Sequence, residues 1–301
     1  MTTLLLTGAN GQVGWELQRV LAPLGNVIAL TREQLDLSDI NSIRTVVTRH
    51  RPDIIVNPAA YTAVDKAESD SEHAYAVNAY APGALALAAK ELNALLVHYS
   101  TDYVFDGRKD APYLETDTPN PQSIYGKSKL EGERAVQASG CRHLILRTSW
   151  VYGLHGGNFM KTMLRLARER DSLRIVNDQF GAPTWARLIA KTTNELLQQA
   201  MQADFDTRKL GLYHLTAAGR TTWHDYAQEI IRLARLYDRE LRDKALTIQG
   251  IPTQEYPLPA ARPANSELAT DKLRAAFGVT LPDWQADLAE CMRLMFATSD
   301  H

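Results

Sequence analysis

"TTLLLTGANGQVG" (residues 2–14) decides the fold of this chain. A β-rich run, 2–7, enters a loop with glycines at 8, 11 and 14, and a helical pattern follows at once. Glycine permits the positive φ of a tight turn and removes the Cβ that would block a pyrophosphate. Val13, Leu17, Val20 and Leu21 recur at helical spacing and form one apolar face. The start of that helix would offer unpaired N–H groups and a partial positive charge to an anion. The spacing is GxxGxxG rather than GxGxxG, so the strand before and the helix after carry the reading.

Outward from the loop, "VIALT" (27–31), "DIIVNPA" (53–59), "ALLVHYST" (94–101) and "HLILRTSW" (143–150) are continuous apolar runs. Continuous rather than alternating apolar character predicts parallel strands covered on both faces. Helical stretches lie between them, at 42–50 and across an alanine-rich crossover, 66–93, interrupted by "APG" at 81–83. This βαβ series predicts an α/β fold, a doubly wound parallel Rossmann sheet over residues 1–150. From residue 151 the order changes. A helix is expected at 158–170, with Phe159, Met163, Leu166 and Ala167 on one face. A strand follows at 172–178, and 172–181 reads as a return of the chain to the sheet. "TTWHDYAQEIIRLARLY" (221–237) reads as a helix with Thr222 as N-cap, Asp225 in its first turn and Trp223, Ala227, Ile230, Ile231 and Ala234 inward. The proline-rich stretch 250–265 reads as an extended loop. Residues 151–301 are expected to form mainly a smaller, discontinuous substrate-binding lobe.

Bulk properties exclude several classes. Lys plus Arg total 33 against 35 Asp plus Glu, a net charge of -2, so no basic footprint argues for nucleic acid. The two cysteines, Cys141 and Cys291, stand far apart in no metal-like spacing, which fits a reducing compartment. The eight histidines are scattered without a ligand pattern. The N-terminus has neither a charged leader nor a long apolar run, so neither a signal peptide nor a membrane span is expected. A cytoplasmic location follows as the expectation.

In NAD-specific sites an acidic residue about 20 positions beyond the loop meets the ribose 2'-hydroxyl. Here the second strand ends in Leu30, Thr31 and Arg32. An arginine suits a 2'-phosphate, so NADPH is the expected cofactor, with NADH as the second choice.

"SIYGKSKLEGE" (123–133) places Tyr125 and Lys129 at i and i+4, on one face of a helix. A free tyrosine has a pKa near 10, too high for ready proton exchange at neutral pH. An ammonium about 4 Å away, at an effective dielectric of about 20, would favour the phenolate by roughly 4 kcal/mol, an upper bound of about three pKa units. That would make Tyr125 a general acid helped by Lys129. Alone, YxxxK is common by chance. Here it follows a glycine loop and "HYSTDYVFDG", whose Thr101 falls at the carboxyl end of a strand, where such sheets bind ligands.

Together these features resemble the extended short-chain dehydrogenase/reductase superfamily and, within it, the dTDP-4-dehydrorhamnose reductases. The resemblance covers nearly the whole chain. It is carried by "TGANGQVGWEL", "RPDIIVNPAAYTAVDKAE", "VHYSTDYVFDG", "YGKSK", "LRTSWVYG", "NFMKTMLRLA", "NDQFGAPT", "GLYHL" and "RPANSEL". It implies reduction of the 4-keto group of a dTDP-linked sugar, with Tyr125 as proton donor, Lys129 lowering its pKa and holding the nicotinamide ribose, and Thr101 at the keto oxygen. Gly8, Gly11, Gln12, Val13 and Gly14 would face the pyrophosphate. Thr31, Arg32, Asp36 and Leu37 would lie toward the adenosine end, and Ala59, Ala60 and Tyr61 along the cofactor. Asp102, Tyr103 and Trp150 would contact substrate, and an indole suits an apolar sugar face. Asn158 and Arg262 are further candidates, an arginine fork suiting a diphosphate. Asn78 could anchor the backbone of the site.

Related dehydratases carry Thr-Asp-Glu where this chain has Thr101, Asp102 and Tyr103, which favours simple reduction over water elimination. Some members of the family are described as magnesium-dependent homodimers. Glu16 is available, but Arg187 and Lys191 stand where further acids would be sought, which argues against a bound magnesium and against a dimer built on it. Monomer and homodimer both stay open. A second reading is a non-catalytic nucleotide-binding subunit, similar to the regulatory β subunit of methionine adenosyltransferase. Another nucleotide-sugar reductase or epimerase is a third.

Overall fold

The structure, a computed structural model, describes residues 1–297. Its main elements are, in chain order, β1 (Thr3–Leu6), α1 (Gln12–Leu21), β2 (Asn26–Ala29), α2 (Ile40–His50), β3 (Ile54–Asn57), α3 (Ala81–Leu92), β4 (Leu95–Thr101), α4 (Ile124–Ser139), β5 (Arg142–Thr148), α5 (Phe159–Glu169), β6 (Ser172–Val176), α6 (Ala186–Ala200), β7 (Gly211–His214), α7 (Trp223–Tyr237), β8 (Thr247–Ile251) and α8 (Trp284–Ala297). The central sheet is parallel throughout, in the order β7-β5-β4-β3-β1-β2.

Both faces of the sheet are covered, as the continuous apolar runs require. Leu4, Leu6, Val56, Val97 and Leu146 pack on one side, with Leu17 of α1 and Ile189 and Leu197 of α6. Leu5, Ile55, Leu96 and Ile145 point to the other side, onto Ile43 of α2 and Leu85 and Ala89 of α3. Each fully buried aliphatic side chain contributes roughly 1.5–3 kcal/mol relative to exposure. The first of these cores continues into the second half of the chain, through Tyr226, Ile230 and Trp284.

Three expectations are corrected. The stretch 172–181 does not return to the sheet: β6 pairs with β8 in a separate two-stranded ladder, and β7 takes the place beside β5. The reason lies in the side chains. Ser172 and Arg174 are exposed while Leu173 and Ile175 are buried, a pattern for a ladder covered on one face. The alanine-rich crossover is not broken at "APG". Ser71–Tyr75 runs through a π turn, Ala76–Tyr80, straight into α3, and the i→i−5 bond from the Ala81 N–H to the Ala76 carbonyl marks the widened turn beside Pro82, whose N–H is missing. The stretch 250–265 contains the end of β8 and a short 3-10 turn, Thr253–Glu255, rather than loop alone.

In α5, Met160, Met163, Leu164 and Ala167 are buried, and Phe159 and Leu166 sit at the margin of that face. The cap of α7 is as read, with Thr222 Oγ1 accepting from the Asp225 N–H at 3.0 Å.

Candidate active site

The carboxyl ends of β1, β3 and β4 converge on a cavity of about 500 Å³. Its centre is the point where strand order reverses, with β2 on one side of β1 and β3 to β5 on the other. In open α/β sheets ligands bind at that crevice.

Gly8, Gly11, Gln12, Val13 and Gly14 form one wall. A Cβ on Gly14 would stand 2.1 Å from the Gly8 carbonyl oxygen, so only glycine lets α1 approach the loop this closely. No side chain caps α1, which leaves its first N–H groups facing the cavity. Arg32, Asp36 and Leu37 form the far end. Arg32 Nη2 lies 3.3 Å from His73 Nε2. The Asp36 carboxylate accepts from the Ser38 N–H and hydroxyl, which holds its pKa below the usual range. Thr31 lies outside the cavity wall, and its N–H donates to Gln34 Oε1. Ala59, Ala60 and Tyr61 continue β3 along the wall. Asn78, turned inward by the π turn, clamps this stretch: its Oδ1 accepts from the Tyr61 N–H, and its Nδ2 donates to the Tyr61 carbonyl and to Ser128.

Ser123 caps α4 by accepting from the Gly126 N–H at 3.1 Å, and this fixes the first turn that carries Tyr125. A Cβ on Gly126 would meet the Tyr103 carbonyl oxygen at 2.2 Å, so this glycine lets the turn press against the segment after β4. Tyr125 and Lys129 both reach the cavity. Tyr103 meets Tyr125 edge-on, with ring centroids 5.4 Å apart.

The expected electrostatic help is not what this arrangement shows. Lys129 Nζ donates to the Tyr99 carbonyl at 2.6 Å and lies 3.4 Å from His98 Nε2. Burial pushes Tyr125 up to about 12, partly offset by a hydrogen bond with the Thr101 hydroxyl, while the Asp102 charge adds to the rise. Burial pushes Lys129 down to about 8 against the pull of Glu133. Dehydration dominates at Tyr125, and the Lys129 ammonium hydrogen-bonds a backbone carbonyl rather than the phenol. The result is a neutral phenol at physiological pH, a group that holds a proton ready to give.

The remaining candidates have other partners. Thr101 is buried, its hydroxyl donating to Asp102 Oδ1 at 2.9 Å and accepting from the Tyr103 N–H at 3.2 Å. Asp102 Oδ2 accepts from Ser266 at 2.5 Å, so this carboxyl joins the end of β4 to the 266 segment instead of facing the cavity. Burial pushes it up to about 6. Asn158 caps α5 at the Lys161 N–H and donates to Gln12 Oε1 and the Gly153 carbonyl, bracing the glycine loop. Arg262 pairs with Asp65 at 2.6 Å. Trp150, at φ 48°, stacks on Trp223 with centroids 3.7 Å apart. These residues lie outside the cavity walls, because each side chain is drawn to a neighbour that sequence spacing does not show.

Ser100 and Thr148 went unnoticed in the sequence. Their hydroxyls are buried at the ends of β4 and β5 without a hydrogen-bond partner among the described residues, and both residues line the cavity. Their place at strand ends, beside Thr101, was the available signal.

Glu16 does not suit a divalent cation. Arg187 Nε lies 3.3 Å from its carboxylate, so a guanidinium already holds the position a metal would need.

The doubly wound sheet, the glycine loop and the Tyr125–Lys129 pair at the strand ends define a nicotinamide-dependent oxidoreductase of the short-chain dehydrogenase type. More particularly, the chain belongs to the family described as RmlD substrate binding domain, whose model matches residues 1–296. It is 50% identical over 291 residues to a dTDP-4-dehydrorhamnose reductase of Burkholderia thailandensis, covering 96% of this chain and 98% of that one. Its fold is similar to the crystal structure of a dTDP-4-dehydrorhamnose reductase of Clostridium acetobutylicum, with TM-score 0.89, 37% identity and coverage of 98% and 99%. A Bacillus anthracis dTDP-4-dehydrorhamnose reductase solved in complex with NADP matches with TM-score 0.88, 34% identity and coverage of 98% and 100%.

Proposed function

We propose that this protein reduces the C4 keto group of dTDP-4-dehydro-L-rhamnose to give dTDP-L-rhamnose, with NADPH as the preferred reductant. The observation that carries the reading is the placement of Tyr125 and Lys129 in the wall of a cavity framed by the glycine loop. Half-identity over nearly full length to a dTDP-4-dehydrorhamnose reductase supports the substrate.

NADPH, when bound, supplies the hydride. Gly8, Gly11, Gln12, Val13 and Gly14 hold the pyrophosphate, through the uncapped start of α1. Arg32 meets the 2'-phosphate, with Thr31, Asp36 and Leu37 around it. Ala59, Ala60, Tyr61 and Lys129 border the nicotinamide ribose. Tyr125 holds its proton at the C4 oxygen and gives it to the alkoxide as negative charge develops there. Thr101 fixes the direction of the Tyr125 hydroxyl. Tyr103 and Trp150 border the sugar, while Asp102, Asn158 and Arg262 brace the surrounding segments.

Residues 1–150, with α6 and β7, act as the cofactor half, and the other described residues from 151 to 297 form the half that takes the sugar. No described helix is long and apolar enough to cross a membrane, and we place the protein in the cytoplasm, as monomer or homodimer. No residue in the site favours a non-catalytic subunit.

The test is loss of reduced nicotinamide absorbance on addition of dTDP-4-dehydro-L-rhamnose, with product identified by mass and NMR. Bound NADPH without turnover would refute the assignment.

A further inference from the structure

A chain of buried polar groups crosses the sheet beneath the cavity and ends at Lys129. Thr7 Oγ1 lies 2.6 Å from Asn57 Oδ1, Asn57 Nδ2 lies 3.1 Å from His98 Nδ1, and His98 Nε2 lies 3.4 Å from Lys129 Nζ. Asn57 and His98 are fully buried, and Thr7 and Lys129 nearly so. The reduction described above uses only the last of the four.

Every link in this chain can be reversed. A threonine hydroxyl donates or accepts, an amide presents oxygen or nitrogen by turning over, and a neutral imidazole carries its proton on either nitrogen. A lysine ammonium has donors only, so it requires a lone pair on Nε2. The imidazole proton then sits on Nδ1 and is donated to the Asn57 oxygen, while the amide nitrogen donates to Thr7. A neutral lysine amine offers a lone pair instead. Nε2–H then donates to it, Nδ1 accepts from Asn57 Nδ2, and Thr7 donates to Asn57 Oδ1. The contacts given above are those of the amine state, and the ammonium state requires the Asn57 amide to turn over, exchanging its oxygen and nitrogen.

We propose that Thr7, Asn57 and His98 form a reversible hydrogen-bond chain that holds Lys129 in place in either of its charge states, the imidazole tautomer following the charge of the lysine. The protons balance: on going from ammonium to amine one proton is released to solvent, and the imidazole keeps one throughout, moved from Nδ1 to Nε2. His98 is thus a positioning residue. The inference rests on the reading of Lys129 as an active-site lysine.

The titration of Lys129 is set by groups on every side. Glu133 lies one turn along α4 and is paired with Arg147 of β5. Tyr125 lies one turn before it. Asp102 stands past Thr101 at the end of β4, and the Tyr99 hydroxyl is held by Thr193. Burial and the Lys129 charge push His98 well below its ordinary pKa, so the imidazole stays neutral while the lysine titrates.

The test is a pH titration of the full chain labelled with ¹⁵N-histidine, following long-range correlations to the ring nitrogens. The His98 signal is identified by its loss in His98→Gln. The expected result is an Nδ1–H tautomer at neutral pH that converts to Nε2–H with a midpoint near the Lys129 value of about 8. One tautomer across the whole range, or an imidazolium, overturns the inference. Asn57→Asp presents only acceptors to the ring and should keep the proton on Nδ1 at every pH; conversion as in the parent would also overturn it. If that variant does not fold, the parent titration decides alone. Turnover plays no part, so a chain that switches tautomer but reduces no sugar would sink the proposed function and leave this inference standing.

Discussion

Lys129 Nζ donates a 2.6 Å hydrogen bond to the Tyr99 carbonyl, on the strand that faces α4. Tyr125, four residues earlier on the same helix, makes no such bond with the lysine, and burial leaves it a weak acid pushed up to about 12. On the proposed function, the pair is a proton-bearing phenol beside a lysine that would hold the cofactor, rather than a phenol activated by a lysine.

Tyr125→Phe removes that proton and little else. It should lower kcat by about 10²–10⁴-fold, the usual worth of a positioned acid, with NADPH affinity nearly unchanged. Steady-state kinetics and a fluorescence titration of NADPH check both halves. Near-normal kcat would rule out Tyr125 as the acid.

Arg32 lines the far end of the cavity beside His73, the end assigned above to the adenosine. Losing a charge-assisted hydrogen bond to phosphate costs about 1.5–3 kcal/mol, so Arg32→Ala should raise KM for NADPH about 10–100-fold. KM for NADH should hardly move. Equal effects on the two cofactors would mean that Arg32 reads no 2'-phosphate.

Asp102 carries a stability prediction. Its folded pKa, about 6, lies above the ordinary 3.8 because it is buried. A raised acid binds more protons folded than unfolded between those values, so its contribution falls as pH rises through that window. The difference is at most about 3 kcal/mol. Asp102→Asn cannot ionise, so its denaturant midpoint should fall less than the parent's between pH about 4 and about 7. Asp287 shifts in the same direction, so the variant flattens only part of the curve. Parallel curves for parent and variant would refute this.

Glu16 is engaged by Arg187. Turnover should therefore be indifferent to a chelator, and added magnesium should leave the melting temperature unchanged. Activity lost to chelator and restored by magnesium would show that the guanidinium yields its place.

The parallel sheet, the glycine loop and the helix of Tyr125 were legible because their signals are local. Glycines at 8, 11 and 14 act on their own backbone, apolar runs announce strands buried on both faces, and Tyr125 and Lys129 share a helix face by spacing alone. The Thr222 cap was readable for the same reason. The substrate side was less legible. Asp102, Asn158 and Arg262 have the right chemistry for a ligand, but each meets a protein partner far along the chain: Ser266, Gln12 and Asp65.

By itself, then, the sequence determined the doubly wound fold, the glycine loop between β1 and α1 and the helix that carries tyrosine and lysine. Propensity, periodicity and turn chemistry act over a few residues and leave a readable pattern. Only the tertiary structure decided that β7 rather than β6 completes the sheet, that the Lys129 ammonium turns to Tyr99, and that Thr7, Asn57 and His98 line up behind it. Those outcomes depend on strand order and on the register β1 and β4 adopt against β3, which join residues about 40 to 50 positions apart. No local rule of the chain encodes which strand will stand beside β5, or which of several polar neighbours will be the one within reach.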